Sequence, residues 1–441
     1  LHMIRFALKT LCLLLLAHGV AAQQRYFPQT TGEEWQERSA AELGYDAAAI
    51  EHLYTYLEAA NSKAFLLLED GEIVLEHYMN GFGPDSLHYW ASAGKTLLSA
   101  AFGIAEAEGH LNLNESSRTY LGNGWTSCTA EEEATITVLD HLRMTTGLDD
   151  KGDFFCTEPE CLSCLAEPGT RWAYYNAPCT LLHDVLEAAT GHTPTRFIRD
   201  HFRATTGLVG AYVPLGRYNR VYVSTARSMA RFGLLLLNGG AWDGRQVIPA
   251  DYYTRMTTPS QELNQSYGLL TWLNGQDSYM LNGAREVFDG SALPDAPADT
   301  YFAAGANGQF INVTPSRGLV WVRVGEEPFV GGGEYVGADF NNEIWKRINS
   351  VLPKTSTALA EPAPAPAAAV FPNPVHDRLR IHASEAMETL TLYDLAGRPL
   401  RRRSVSGDAG EFPVTGIPAG IYRLVIHYRA GRASQVRVSI Q

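Results

Sequence analysis

Apolar and polar positions alternate with different rhythms along the chain, and the rhythms mark its elements. Behind Asp46, alanines and apolar residues recur at helical spacing over residues 46–60, which predicts an amphipathic helix with Asp46 as its cap. Two strand-like runs follow, residues 65–69 and 72–78, and the Asp70-Gly71 pair between them suits the positive φ values of a tight hairpin turn. Residues 95–109 are small and apolar, the pattern of a buried helix, so Ser92 falls where sheet gives way to helix. Residues 95–275 are mostly helical in pattern, broken by long polar loops such as 149–169. Strand character returns near Tyr301. Residues 310–314 and 319–324 form a second hairpin about Pro315-Ser316-Arg317-Gly318, and residues 341–351 read as a closing helix. Strands at both ends with helices between predict an α+β layout whose terminal segments share one antiparallel sheet.

Beyond this body the pattern changes. Residues 352–369 carry Pro353, Pro362, Pro364 and Pro366 among alanines, the composition of a linker. Residues 370–441 alternate in short β-like runs separated by Gly and Pro turns, which predicts a small β-sandwich. At the other end, Arg5 and Lys9 precede the apolar run 11–17 and then Val20-Ala21-Ala22, the order of a secretory signal cleaved near Ala22. That run is too short to span a bilayer, and no later stretch is long enough, so the mature chain is expected to hold no transmembrane segment. The expected organisation is a signal peptide (1–22), a main domain (31–351), a linker (352–369) and a terminal domain (370–441).

Composition narrows the class. A chain of 441 residues that is 45% hydrophobic can bury a large core. Its formal net charge of −13 argues against nucleic acid as a partner, since phosphate binding wants a concentrated basic face. Export leaves Cys128, Cys156, Cys161, Cys164 and Cys179 in an oxidising compartment, where disulfide staples are expected with one thiol left over. The close trio Cys156, Cys161 and Cys164 admits zinc as an alternative, but a well-spaced fourth ligand is missing.

Three motifs carry candidate chemistry: Ser92-Ala93-Gly94-Lys95, Tyr174-Tyr175-Asn176 and Gly305-Ala306-Asn307-Gly308-Gln309. Serine and lysine three apart on a helix share a face, so Lys95 can serve as the base that a neutral hydroxyl needs to become a nucleophile. A lone S-x-x-K is weak, because chance supplies such spacings and most are solvated helix positions. Likewise a tyrosine beside Trp172 is ordinarily packing, and a glycine pair is ordinarily a turn.

In this order the three motifs resemble the serine β-lactamase and penicillin-binding-protein superfamily. The resemblance is to the Y-x-N branch, which holds class C β-lactamases, D-aminopeptidases, esterases and amide hydrolases, and it covers residues 45–351. It implies a β-lactamase-like fold in which Ser92 forms an acyl-enzyme and Lys95 and Tyr174 handle the proton, with either as the base. Asn176 would orient Lys95 or the substrate. The oxyanion would sit between the Ser92 and Gln309 amides, with Gly308 allowing close approach and Ala306 and Asn307 beside the substrate. No cofactor or metal is required.

The third motif departs from the antibiotic-binding members, which usually place Lys or His where this chain has Ala306. That favours an esterase or amidase acting on a less acidic acyl group, whose pocket Tyr267, Trp272 and Tyr301 would line. The alternatives are a D-amino-peptide peptidase, a β-lactamase, or a catalytically silent binding protein of the same fold. The tail motifs Phe371-Pro372-Asn373-Pro374, Leu392-Tyr393-Asp394-Leu395-Ala396-Gly397-Arg398 and Pro418-Ala419-Gly420-Ile421-Tyr422 resemble the type A sorting domain of type IX secretion in Bacteroidetes. The resemblance implies the type IX machinery as a partner, alongside a small-molecule or peptide substrate, and delivery to the outer surface or medium.

Overall fold

The computed structural model describes residues 25–32, 34–216, 220–283, 285–328, 338–353, 368–394, 399–429 and 433–441. The expected signal peptide, linker residues 354–367 and motif residues 395–398 lie outside the described residues. The chain forms two compact units, Leu1–Lys354 and Thr355–Gln441.

In the first unit, helix α1 (Ala47–Ala59) begins where the Asp46 carboxylate accepts from the Ala49 N–H, and it buries Leu53 and Leu57. Strands β1 (Ser62–Glu69) and β2 (Glu72–Tyr78) form the expected hairpin, with φ of 50° at Asp70 and 92° at Gly71. Helix α2 (Gly94–Ala107) is apolar on almost every side and is buried to match. Helix α3 (Asn176–Thr190) stops at Gly191 in the left-handed conformation, and α4 (Ala226–Leu237) is capped by Thr225. The returning strands are β3 (Trp272–Leu273), β4 (Tyr301–Gly305), β5 (Gln309–Thr314) and β6 (Leu319–Gly325). Helix α5 (Ala338–Val351) closes the unit, starting three residues ahead of the sequence expectation.

The sheet runs β2-β1-β6-β5-β4-β3, antiparallel throughout, so both terminal segments do share it. Alternate residues feed two cores. Leu66, Leu68, Ile311 and Val322 pack with residues of α2, α3 and α4, while Phe65, Leu67, Phe310 and Trp321 pack with residues of α1 and α5. With both faces covered, β5 and β6 are buried along their whole length, and the polar side chains they carry, among them Gln309, Asn312 and Arg323, are buried with them.

The third motif spans the turn between two strands. Gly305 ends β4, residues 306–308 make the turn, and Gln309 begins β5. The cysteine loop is stapled twice, Cys128 to Cys164 and Cys156 to Cys161, which uses all three members of the trio considered for zinc. Cys179 is free and buried.

The second unit comprises β7 (Ala368–Phe371), β8 (Arg378–Tyr393), β9 (Pro399–Pro413), β10 (Gly420–Tyr428) and β11 (Ala433–Ile440). The long β8 pairs with β7 at its start, β10 at its end and β9 along both halves. The sheet thereby curls over a single core that includes Leu379, Leu390, Phe412, Leu424 and Ile440.

Candidate active site

Ala91 takes a left-handed φ of 47°, an uncommon conformation for a residue with a side chain, and turns the backbone just before Ser92. Residues Ala91–Ala93 form a single 3-10 turn that runs into α2, so Ser92 and Lys95 stand one turn apart. The Lys95 amine donates to Ser92 Oγ at 2.8 Å and to Asn176 Oδ1 at 2.8 Å. Asn176 opens α3, and its Nδ2 donates to Thr180 Oγ1 at 3.3 Å, which fixes which end of the amide faces Lys95.

Tyr174 is buried in an aromatic box, stacked on Trp272 at 5.7 Å and edge-on to Tyr267 at 6.4 Å. Its ring lies 5.4 Å from Lys95 Nζ. Burial sets the proton chemistry of the pair. It pulls Lys95 down from 10.5 to about 8 by penalising the ammonium, and it pushes Tyr174 well above the usual tyrosine range, with the Ser92 hydroxyl pulling the other way. Cys179, in the same wall, is pushed up to about 12 by burial and stays a thiol.

Gly305 fixes how the sheet meets this centre. A Cβ there would stand 2.4 Å from the Trp90 carbonyl oxygen and 3.0 Å from the Ala93 nitrogen, so only glycine lets β4 approach the turn bearing Ser92. The next residue, Ala306, lines the same cavity as Ser92.

That cavity has a volume of about 220 Å³. Ser92, Lys95, Tyr174, Asn176, Gly305 and Ala306 line it together. Asn307, Gly308 and Gln309, expected beside the substrate, are not among the residues that line it. The Asn307 amide donates to the Tyr89 hydroxyl at 2.7 Å. At Gly308 (φ 76°) a Cβ would run into Phe340 and Arg323, away from Ser92. Gln309 is fully buried on β5, where its amide bonds Ala306 O and both backbone groups of Gly325. The reason is local: with the turn at 306–308, the chain has already reversed by Gln309. Of the three aromatics expected in the pocket, Trp272 lines it, whereas Tyr267 and Tyr301 belong to the core behind.

The sequence reading missed part of the wall. Phe154 and Phe155 enter from the disulfide-bonded loop, and Thr180 and His183 continue the face of α3 that begins at Asn176. The latter three stand at i, i+4 and i+7, a spacing visible in the sequence. Burial, then the nearby Arg220 and Lys95 charges, lower His183 to about 3, so it is neutral. Among the described residues no carboxylate lines the cavity, and the cations that do are Lys95 and Arg220.

A serine and a lysine in the cavity wall beside a buried tyrosine, on an α+β frame, define the serine-hydrolase class of the β-lactamase-like fold. Residues 57–325, more than half of the chain, match the Beta-lactamase family, and the chain belongs to it. Residues 369–440 match the secretion system C-terminal sorting domain, which marks type IX secretion to the cell surface or outside. No helix among the described residues is long and apolar enough to cross a membrane.

Solved structures similar to this chain include a Bacillus anthracis protein described as a candidate 6-aminohexanoate-dimer hydrolase. It is 17% identical with a TM-score of 0.56, over 74% of this chain and 88% of that one. A penicillin-binding-protein homologue from Caulobacter crescentus is 15% identical with a TM-score of 0.52, over 69% and 97%. EstCE1, a hydrolase with promiscuous acyltransferase activity, is 12% identical with a TM-score of 0.52, over 70% and 99%. At these identities the likeness shows the fold.

Proposed function

We propose that this protein is an exported serine hydrolase that cleaves an ester or a small amide through an acyl-enzyme on Ser92, with Lys95 as the general base. One observation carries the reading: the Lys95 amine is 2.8 Å from Ser92 Oγ, and burial brings it to about 8, within reach of its neutral form in ordinary buffers. Tyr174, held above its usual range, serves as a neutral hydroxyl that relays a proton and not as a standing phenolate.

In the first half-reaction Ser92 Oγ bonds the carbonyl carbon and its proton passes to Lys95. The bond from that carbon to the leaving oxygen or nitrogen then breaks, and the leaving group takes a proton from the Lys95–Tyr174 pair. Water next adds to the Ser92 ester with its proton taken by the same amine. The acyl–Oγ bond breaks, Ser92 is reprotonated and the acid departs. The developing oxyanion lies between the Ser92 and Ala306 amides, in place of the Gln309 amide expected from the sequence. The acyl group is apolar and uncharged, since Trp272, Phe302 and Phe310 line the cavity and the end of β4 and the turn after it present only alanine and glycine at residues 304–306. Similar folds described as a candidate 6-aminohexanoate-dimer hydrolase and a hydrolase with promiscuous acyltransferase activity support this class.

The test is to incubate the full chain with p-nitrophenyl butyrate and, separately, nitrocefin, following colour and intact mass beside Ser92→Ala. Ester turnover and one acyl adduct, both missing in Ser92→Ala, are expected. No turnover and no adduct with either would turn the reading to a silent binding protein.

A further inference from the structure

We infer that Gln309 and Arg323, neither of which lines the cavity, are positioning residues that hold the Ala306 amide at the oxyanion site. The inference rests on the Ser92 reading above. The turn 306–308 has its three carbonyls bound by buried side chains. Gln309 Nε2 donates to Ala306 O at 3.1 Å, while Arg323 Nη1 donates to Asn307 O and, at 3.2 Å, to Gly308 O. Both side chains are rooted in the middle of the sheet. The Gln309 amide also donates to Gly325 O at 2.6 Å and accepts from Gly325 N at 3.0 Å. Arg323 reaches Ser62 Oγ at 2.9 Å, Ala60 O at 2.8 Å and Glu326 O at 3.1 Å, with its guanidinium 5.2 Å from the Phe340 ring.

This arrangement is costly in one respect. Arg323 is fully buried, and the acceptors just named are backbone carbonyls and one hydroxyl, so the Glu326 carboxylate offsets its charge only through space and not by a hydrogen bond to it. Burial accordingly lowers its pKa to about 9. What the charge holds is a turn with two successive left-handed residues, Asn307 (φ 63°) and Gly308 (φ 76°), which backbone preference alone does not fix. On the other side of Ala306, Gly305 is wedged against Trp90 and Ala93. Ala306 is thus fixed from both directions, by close approach before it and by the Gln309–Arg323 clamp after it, and Asn307 is tied laterally to Tyr89. An oxyanion donor works only if it is already aimed where the charge develops, so residues that set its aim act on the chemical step and not on substrate affinity.

The experiment uses the full chain with Gln309→Met, Arg323→Lys and Tyr89→Phe. Each is assayed on p-nitrophenyl butyrate and on the matched thionoester, in which sulfur replaces the carbonyl oxygen that the amides would bind. For Gln309→Met we expect kcat to fall about 10- to 100-fold with KM changed less than about twofold. The preference for ester over thionoester should fall in parallel, while Ser92 is still acylated. Arg323→Lys, which keeps the charge but fewer donors, should lie between Gln309→Met and wild type. An unchanged kcat, or a loss of rate with the ester preference intact, overturns the proposal even where the Ser92 adduct forms normally. Should Gln309→Met fail to fold, Tyr89→Phe decides. It removes the hydroxyl that accepts from Asn307 and should show the same signature at about 3- to 10-fold, and an intact ester preference there overturns the proposal too. Failure of the Ser92 reading itself looks different: either the wild type shows no turnover and no adduct, or turnover survives in Ser92→Ala.

Discussion

Lys95 Nζ and Ser92 Oγ are 2.8 Å apart, and the amine that makes this contact has been brought to about 8 by burial. A base must lose its proton before it can take one, so kcat/KM for p-nitrophenyl butyrate should climb with pH and level off above a midpoint near 8. A profile flat from pH 6 to pH 10 would rule Lys95 out as the base. The same shift has a consequence for stability. An unfolded lysine titrates near 10.5, so between about 8 and 10.5 the unfolded chain binds more protons than the folded one, and stability from this group rises with pH across that window. Lys95→Met should therefore melt above wild type at pH 7, with the gap narrowing towards pH 10, while activity is lost at both.

Much of this centre was legible because its first two motifs are local. Ser92 to Lys95 is one helical turn, and Tyr174 to Asn176 is a short run into a helix start, so sequence spacing translates directly into shared geometry. The third motif was legible in kind but not in register. Gly305 to Gln309 spans the end of one strand, a turn and the start of another, and which residues face Ser92 depends on where the chain reverses. That point is set by side chains far away in sequence, Arg323 and Tyr89, which no local pattern reveals. The shared antiparallel sheet was readable from the strand-like runs at both ends of the first unit, and the tail from its alternation, whereas the split into two cores was not. That Phe154 and Phe155 reach the cavity was not readable, because tertiary contacts place that loop.

Gly305 leads to a steric prediction. A methyl there would sit 2.4 Å from Trp90 O, well inside contact distance, and backbone on both sides must move apart to admit it. Gly305→Ala should lower kcat/KM by about 100-fold or more, because Ala306 and Ser92 are displaced relative to each other, and should cost about 1–3 kcal/mol of stability. Steady-state kinetics with thermal melts checks both, and a wild-type rate would show that β4 does not need to approach this closely.

The stapled loop leads to a prediction about binding. Phe154 and Phe155 line the cavity, Phe155 follows Phe154 edge-on at 5.1 Å, and the Cys156–Cys161 bridge comes next in the chain. Asp150, paired with Arg171 and Arg285, pins the other end. Replacing Cys156 and Cys161 together by alanine frees one side of that wall without touching Ser92 or Lys95. KM for p-nitrophenyl butyrate should rise about 3- to 10-fold with kcat within about twofold, as expected when ordering of the wall is deferred to binding. If kcat falls and KM holds, the loop bears on the chemical step instead.

Asn176 offers the sharpest discrimination between Lys95 and Tyr174 as the base. Its Oδ1 accepts from Lys95 at 2.8 Å, and the neighbouring Thr180 fixes its orientation. Asn176→Asp changes one atom group and puts a negative charge on the atom that already touches the amine. An opposite charge at this distance favours the ammonium and should raise Lys95 by about 1–3 pH units. If the neutral amine is the base, the rising limb of the profile moves from about 8 to higher pH by that amount. Activity at pH 7 then falls about 10- to 1000-fold, and part of the loss is recovered at alkaline pH. If instead a Tyr174 phenolate is the base, the Lys95 ammonium that stabilises it should persist to higher pH, and Asn176→Asp should broaden activity at the alkaline side without moving the rising limb upward. The two outcomes separate in a single pH series on p-nitrophenyl butyrate with the Asn176→Asp full chain.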